Sequence, residues 1–143
     1  MASIYRSALV EYSSEQMFDL VNDIEKYPGY MQGCKEATVI EQRENELIGK
    51  LVLKKAGIKQ EFTTRNRLDR PHSIDMELVE GKFKHFSSRW TFEPLAQNAC
   101  KVSLNMEFEF DLSLVDFAAE KLLSSSANSL VDSLVSRAKQ VYG

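Results

Sequence analysis

Gln60, Thr64, Asn66 and Ser88 are uncharged polar residues set in the same alternating register as Phe62, Met76, Phe86, Trp90, Met106, Phe108 and Phe110. If these positions face inward, each polar group must find a hydrogen bond or forfeit about 1–3 kcal/mol. A cavity is one way out, because water or the polar end of a bound molecule can satisfy them. Pockets for apolar molecules are mostly hydrophobic with a few placed polar groups, which is this pattern. The other reading is a packed core whose polar positions lie near the rim of a sheet. The residues alone admit both.

Residues suited to catalysis are sparse. His72 falls on a predicted turn and His85 on an outward strand face, and neither has a nucleophile or metal partner at a motif spacing. Glu107, Glu109 and Asp111 repeat at strand spacing. They read as a solvated face, since paired acid–base carboxylates need burial to split their pKa values. No phosphate loop, zinc spacing or nucleophile elbow occurs. The two cysteines, Cys34 and Cys100, form neither a metal spacing nor a disulfide framework and read as small core residues in a reducing compartment. The expectation is a binding protein rather than an enzyme, with no catalytic residue, no metal and no required cofactor.

One cluster carries charge. Lys50, Lys54, Lys55, Lys59, Arg65 and Arg67 fall on two strands joined by a hairpin. Together they would make a basic surface able to engage phosphates in a strongly salt-dependent way. Alternatively, Glu61 and neighbouring acids offset them on an ordinary solvated face. The net charge of −3 gives no general attraction for nucleic acid or an anionic membrane. With 143 residues, 43% hydrophobic and 27% charged, the chain suits one globular domain, residues 1–143. No apolar run approaches the roughly 20 residues of a membrane span, and the first residues lack a signal-peptide layout. Cytoplasm is the expected compartment.

Alternation and period then place the elements. Ser3 to Val10 is a first strand without a clearly apolar face. A helix starts at Ser13 or Ser14, with Gln16 placed to complete a capping box. Met17, Phe18, Leu20, Val21 and Ile24 form its apolar face, and it should stop before Pro28. Tyr27-Pro28-Gly29-Tyr30-Met31 is an aromatic turn, either a lid over something apolar or a hydrophobic plug. Strands follow at Glu36–Gln42, Leu47–Lys55, Ile58–Leu68 and Ile74–Val79. The next strand has Phe86, Ser88, Trp90 and Phe92 on one face, and the last is Cys100–Leu112. Lys59, Glu61, Thr63, Arg65 and Arg67 should face solvent, and Pro94 to Ala99 should be a turn. After Leu112 the period becomes helical, with Leu112, Val115, Ala119, Leu123, Ala127, Leu130, Leu134, Ala138 and Val141 on one face. Short connections predict an antiparallel meander covered by this long helix, an α+β domain.

Several local sequences, in this order, match a known family: Tyr27-Pro28, Cys34, Ala56-Gly57-Ile58, Phe62-Thr63-Thr64-Arg65-Asn66, Gly81-Lys82-Phe83, Trp90-Thr91-Phe92-Glu93-Pro94-Leu95 and Phe108-Glu109-Phe110. The chain resembles the coenzyme Q-binding branch of the START-like superfamily, also labelled polyketide cyclase/dehydrase or lipid-transport proteins. Within it, the chain is most similar to the bacterial ribosome association toxins. The similarity runs from Ser7-Ala8-Leu9-Val10 to Arg137-Ala138-Lys139, although Met31-Gln32 stands where family members often have leucine and proline. The resemblance implies a helix-grip (START-like, Bet v 1-like) fold, a curved seven-stranded antiparallel sheet wrapped around the C-terminal helix. It also implies a tunnel between the two for ubiquinone or a related isoprenoid lipid, supporting respiration. The expected lining is Tyr27, Tyr30, Phe62, Met76, Phe86, Trp90, Phe108 and Phe110, with Asn66 and Ser88 as polar anchors. For toxin-like members it implies binding to the large ribosomal subunit, blocking subunit association and so translation initiation, and a small antitoxin protein as partner. Lys54, Lys55, Lys59, Arg65 and Arg67 are where ribosomal RNA contact is expected.

Overall fold

A computed structural model describes residues 2–111 and 117–143. Strand β1, Ala2–Val10, leads into helix α1, Ser14–Asn22, and a 3-10 helix, Ile24–Gly29. Six strands follow: β2 Cys34–Arg43, β3 Glu46–Lys55, β4 Ile58–Asp69, β5 Ser73–Glu80, β6 Phe83–Ala96 and β7 Ala99–Phe110. Helix α2, Phe117–Tyr142, closes the chain. The strands form one seven-stranded antiparallel sheet in the order β1-β7-β6-β5-β4-β3-β2. From β2 to β7 this is the expected meander. β1 instead pairs with β7, so α1 and the 3-10 helix must cross from one edge of the sheet to the other. Helix α2 lies over the inner face and packs on β1, β3, β4 and β7. This is the helix-grip fold.

The local signals explain most of these elements. Ser13 Oγ accepts the Gln16 amide at 3.1 Å, and Gln16 Oε1 accepts the Ser13 amide at 2.9 Å, the reciprocal pair that starts α1. Along β7, Cys100, Val102, Leu104, Met106, Phe108 and Phe110 are all buried. The face of α2 that covers them carries Ala119, Leu123, Ala127, Leu130, Leu134 and Ala138, also buried. Leu112 and Val115, assigned from the sequence to the same helix face, lie outside the described residues.

Five expectations are corrected. Helix α1 ends at Asn22 rather than just before Pro28, and Ile24 belongs to the 3-10 helix. Its turn bonds, Lys26 to Asp23 and Tyr30 to Tyr27, need no amide from Pro28, so the proline sits inside it. Pro94 to Ala99 is not one long turn: β6 runs to Ala96, and Pro94 sits beside a register slip in the β6–β7 ladder, where a missing amide is tolerated. Thr63 is buried rather than solvated, because the β4–β5 register slips between Thr63 and Thr64. Val141 is 47% exposed. The last turn of α2 instead turns Tyr142 toward α1, where its hydroxyl donates to Gln16 O at 2.9 Å and its ring meets Tyr12 at 5.9 Å. Finally, β1 is two-faced, with Ile4 and Val10 buried and Tyr5 and Leu9 exposed.

Candidate functional site

Between the sheet and α2 lies a cavity of about 40 Å³. Its sheet wall is built from alternate residues of β3 to β7, among them Leu51, Leu53, Phe62, Thr64, Asn66, Ile74, Met76, Phe86, Trp90 and Met106. Leu123, Ala127 and Leu130 of α2 form the roof. Val21 and Asn22 of α1, with Ile24, Tyr27 and Met31, close one end. Of the residues expected to line a tunnel, Tyr27, Phe62, Asn66, Met76, Phe86 and Trp90 border this space. The space takes a few waters as it stands. An isoprenoid chain requires the roof or the end wall to move.

Phe108 and Phe110 sit beside it rather than on its surface. With Phe62, Phe83 and Phe86 they make one aromatic cluster, in which Phe83 stacks on Phe110 at 4.4 Å and meets Phe86 at 5.2 Å. Tyr30 lies outside the cavity, against Tyr27 edge-to-face at 5.8 Å and under the Arg137 guanidinium at 5.5 Å. It ties the 3-10 helix to α2. Ser88 lies on β6 between Met76 of β5 and Met106 of β7; it is not among the residues that line the cavity, and with Met76 it borders a second concavity.

The polar groups are disposed unevenly. Thr64 Oγ1 donates to Asn66 Oδ1 at 2.8 Å, a buried bond within β4. Ser88 Oγ and Asn22 Oδ1 are buried without a partner among the described residues. Tyr27 donates its hydroxyl to Val21 O, and desolvation, aided by Tyr30, holds its pKa well above the usual tyrosine value. No His, Asp, Glu, Lys or Arg is among the described residues that line the cavity, and the described residues hold no cluster suited to a metal ion.

Two contributors escaped sequence reasoning. Gly49 lines the cavity beneath Ile24, where a Cβ would collide with the isoleucine Cδ1. A glycine inside a strand is the signal that something approaches closely. Asn22, at the end of α1, gave no signal.

On the outer face, Lys54 pairs in register with Lys59. Lys55, expected on the same basic surface, falls in phase with inward-facing Leu51 and Leu53 and lies on the helix side of the hairpin tip, beside Ile58 and Leu122 of α2. Glu61 lies 3.5 Å from Lys59 and 3.7 Å from Lys50. Arg65 bridges Glu46 and Glu77, both at 3.3 Å, and Arg67 lies 3.6 Å from Glu77. Lys54 and Lys55 are exposed and have no ion pair among the described residues.

A family profile described as polyketide cyclase / dehydrase and lipid transport matches residues 10–135. The chain is 44% identical over 143 residues to the "Ribosome association toxin RatA" of Vibrio cholerae, covering 100% of this chain and 99% of that one. It is 21% identical over 141 residues to the mitochondrial "Coenzyme Q-binding protein COQ10 homolog B" of Xenopus laevis, covering 96% of this chain and 58% of the relative. The crystal structure of the Zhui aromatase/cyclase from Streptomyces sp. R1128 superposes with a TM-score of 0.81 at 18% identity, over 99% of this chain and 96% of that one. That likeness shows the fold.

Proposed function

The chain belongs to the polyketide cyclase / dehydrase and lipid transport family, and from that premise we propose that it is a non-enzymatic, cytoplasmic carrier of a hydrophobic ligand. The ligand is ubiquinone or a related isoprenoid lipid, held between the sheet and α2 in support of respiration. One observation carries the reading: an apolar cavity in the middle of the fold with buried polar groups, Thr64 and Asn66, on its wall. The name of the Xenopus relative supports the ligand class. The lining supports the non-enzymatic reading. Tyr27 has its proton committed to Val21 O, and its raised pKa suits neither a general base nor an acid near neutral pH. A cavity of this size holds no isoprenoid lipid as it stands, so in this reading the roof opens to load.

Native mass spectrometry with lipid extraction, on protein purified from its own cells, tests this. A stoichiometric co-purifying quinone or isoprenoid lipid is expected. Protein that stays empty, and does not take up a quinone added in detergent, overturns it.

A second activity is favoured by the end-to-end similarity to a relative named as a ribosome association toxin. In that reading the hairpin of β3 and β4 meets ribosomal RNA of the large subunit and hinders subunit association. Lys54 and Lys55, free of ion pairs among the described residues, lead the contact, while Lys59, Arg65 and Arg67 must first part from their acids. A small antitoxin protein is the expected partner of such an activity. Lys54→Glu with Lys55→Glu should reduce co-sedimentation with large subunits and flatten its salt dependence. Unchanged co-sedimentation at low salt rules out this surface.

A further inference from the structure

One cross-strand row runs Leu47–Asn66–Met76–Ser88–Met106–Ile4, each residue opposite the next on the neighbouring strand. From Leu47 to Met106 apolar and polar side chains alternate along it. Asn66 is 5% exposed and Ser88 6%, so both are sealed from bulk water. Neither spends its full hydrogen-bonding capacity. The Asn66 Oδ1 is taken by Thr64, leaving the amide nitrogen without a partner among the described residues, and the Ser88 Oγ has none. A buried hydroxyl left unsatisfied costs free energy that alanine at the same place would avoid. Ser88 is such a group, and Asn66, one methionine away in the same row, has a side-chain bond only to Thr64 among the described residues, a pattern a packed core does not require.

We propose that Asn66 and Ser88 are the two hydrogen-bonding ends of the ligand seat. The group they take is a flat ring with oxygens on opposite sides, lying over Met76. This rests on the carrier reading and specifies which part of the ligand the wall grips. Neighbouring strands are about 4.8 Å apart, so the two backbones stand about 10 Å apart. A six-membered ring with para oxygens, plus a hydrogen bond of about 2.8 Å at each end, spans a gap of that order. Asn66 donates to one oxygen. The Ser88 hydroxyl donates to or accepts from the other, so oxidised and reduced rings both fit. Met76 and Met106 flank Ser88 on the neighbouring strands and line the present cavity, which Ser88 does not, and they are the flexible, unbranched side chains that can swing aside to admit a ring. Met76 has room for this. It is half-buried, it lines the cavity and, together with Ser88, a second concavity, and the β5–β6 ladder stops one residue beyond it, at Glu77 opposite Ser87.

The test uses Trp90, the only tryptophan and a cavity residue, whose fluorescence a bound quinone quenches. The probes are a short-tailed 1,4-benzoquinone and, by competition, the isoprenoid alcohol with the same tail and no ring. Ser88→Ala is expected to weaken the quinone about fivefold to tenfold, the worth of one hydrogen bond, and to leave the alcohol unchanged. Its thermal midpoint without ligand should be equal to or above that of the wild type. Asn66→Leu with Thr64→Val, which leaves no hydroxyl orphaned, should show the same selective loss. If the wild type binds the quinone and both variants bind it equally well, the two-ended seat is wrong and the carrier reading stands. If the wild type binds neither probe, the carrier reading itself fails and this inference falls with it.

Discussion

Ile24 rests its Cδ1 directly over Gly49, in space that any side chain on the glycine would occupy. The contact seats the 3-10 helix on β3 and closes one end of the cavity. Gly49→Ala displaces only the tip of a flexible side chain, and alanine is the better strand residue, so stability should change by no more than about 1 kcal/mol. Gly49→Val cannot be absorbed this way and should cost about 1–3 kcal/mol as overpacking. Urea unfolding of both variants checks the contrast, and equal costs would mean that the end wall yields freely.

Gly33 has φ +83, and a Cβ there would fall 2.6 Å from Ser126 Oγ on α2. Gly33→Ala carries both backbone strain, about 1–2 kcal/mol, and a clash with the roof helix. Adding Ser126→Gly removes the clash and leaves the strain. A double-mutant cycle should therefore give a favourable coupling above about 0.5 kcal/mol, and strict additivity would show that the helix backs away from residue 33.

Alkaline pH should unfold the protein through its buried phenol. Desolvation holds the Tyr27 pKa well above the ordinary value of about 10. Its neutral hydroxyl therefore contributes stability in full below pH 10, and the contribution drains away as pH rises toward the folded-state value. Tyr27→Phe loses the bond to Val21 O, so it should start less stable at pH 7 by about 1 kcal/mol. Between pH 10 and 11.5 its stability should fall less steeply than that of the wild type. Parallel slopes would exclude Tyr27 as the titrating group.

Ser13→Ala removes one half of the capping box of α1 and should cost about 1 kcal/mol. Gln16→Ala removes the other half. If the box acts as a unit, thermal midpoints will show that the double variant loses less than the sum of the two.

The sheet was legible where each strand had one wet face and one dry face. In β7 every second residue from Cys100 to Phe110 is apolar, and the other face carries Lys101, Asn105, Glu107 and Glu109, so register and orientation follow from period alone. β1 lacked that contrast because Tyr5 and Leu9 point to solvent. Its pairing with β7 has no local sequence signal at all, since the two strands lie at opposite ends of the sheet-forming chain. The polar wall residues could be picked out by phase, which put Asn66 and Ser88 inward. The contrast between them, with Asn66 on the cavity surface and Ser88 off it between two methionines, depends on rotamers and strand curvature that a periodic pattern does not encode. The same holds for the basic hairpin. Alternation put Lys59, Arg65 and Arg67 on one face, while the partners that bind Arg65 come from Glu46 on β3 and Glu77 on β5.

The β1–β7 ladder has a consequence for how the molecule comes into being. Ala2 to Val10 must find Cys100 to Phe108, so the first strand to leave the exit tunnel waits for the seventh before its edge is matched. Contacts so distant along the chain slow folding, because the loop between them must close first. Helix α2 emerges later still. Until it docks, the nascent sheet is an open trough with its greasy side uncovered, and for the carrier proposed above the interval between the last strand and the last helix is when a water-insoluble cargo would meet the least resistance to being enclosed.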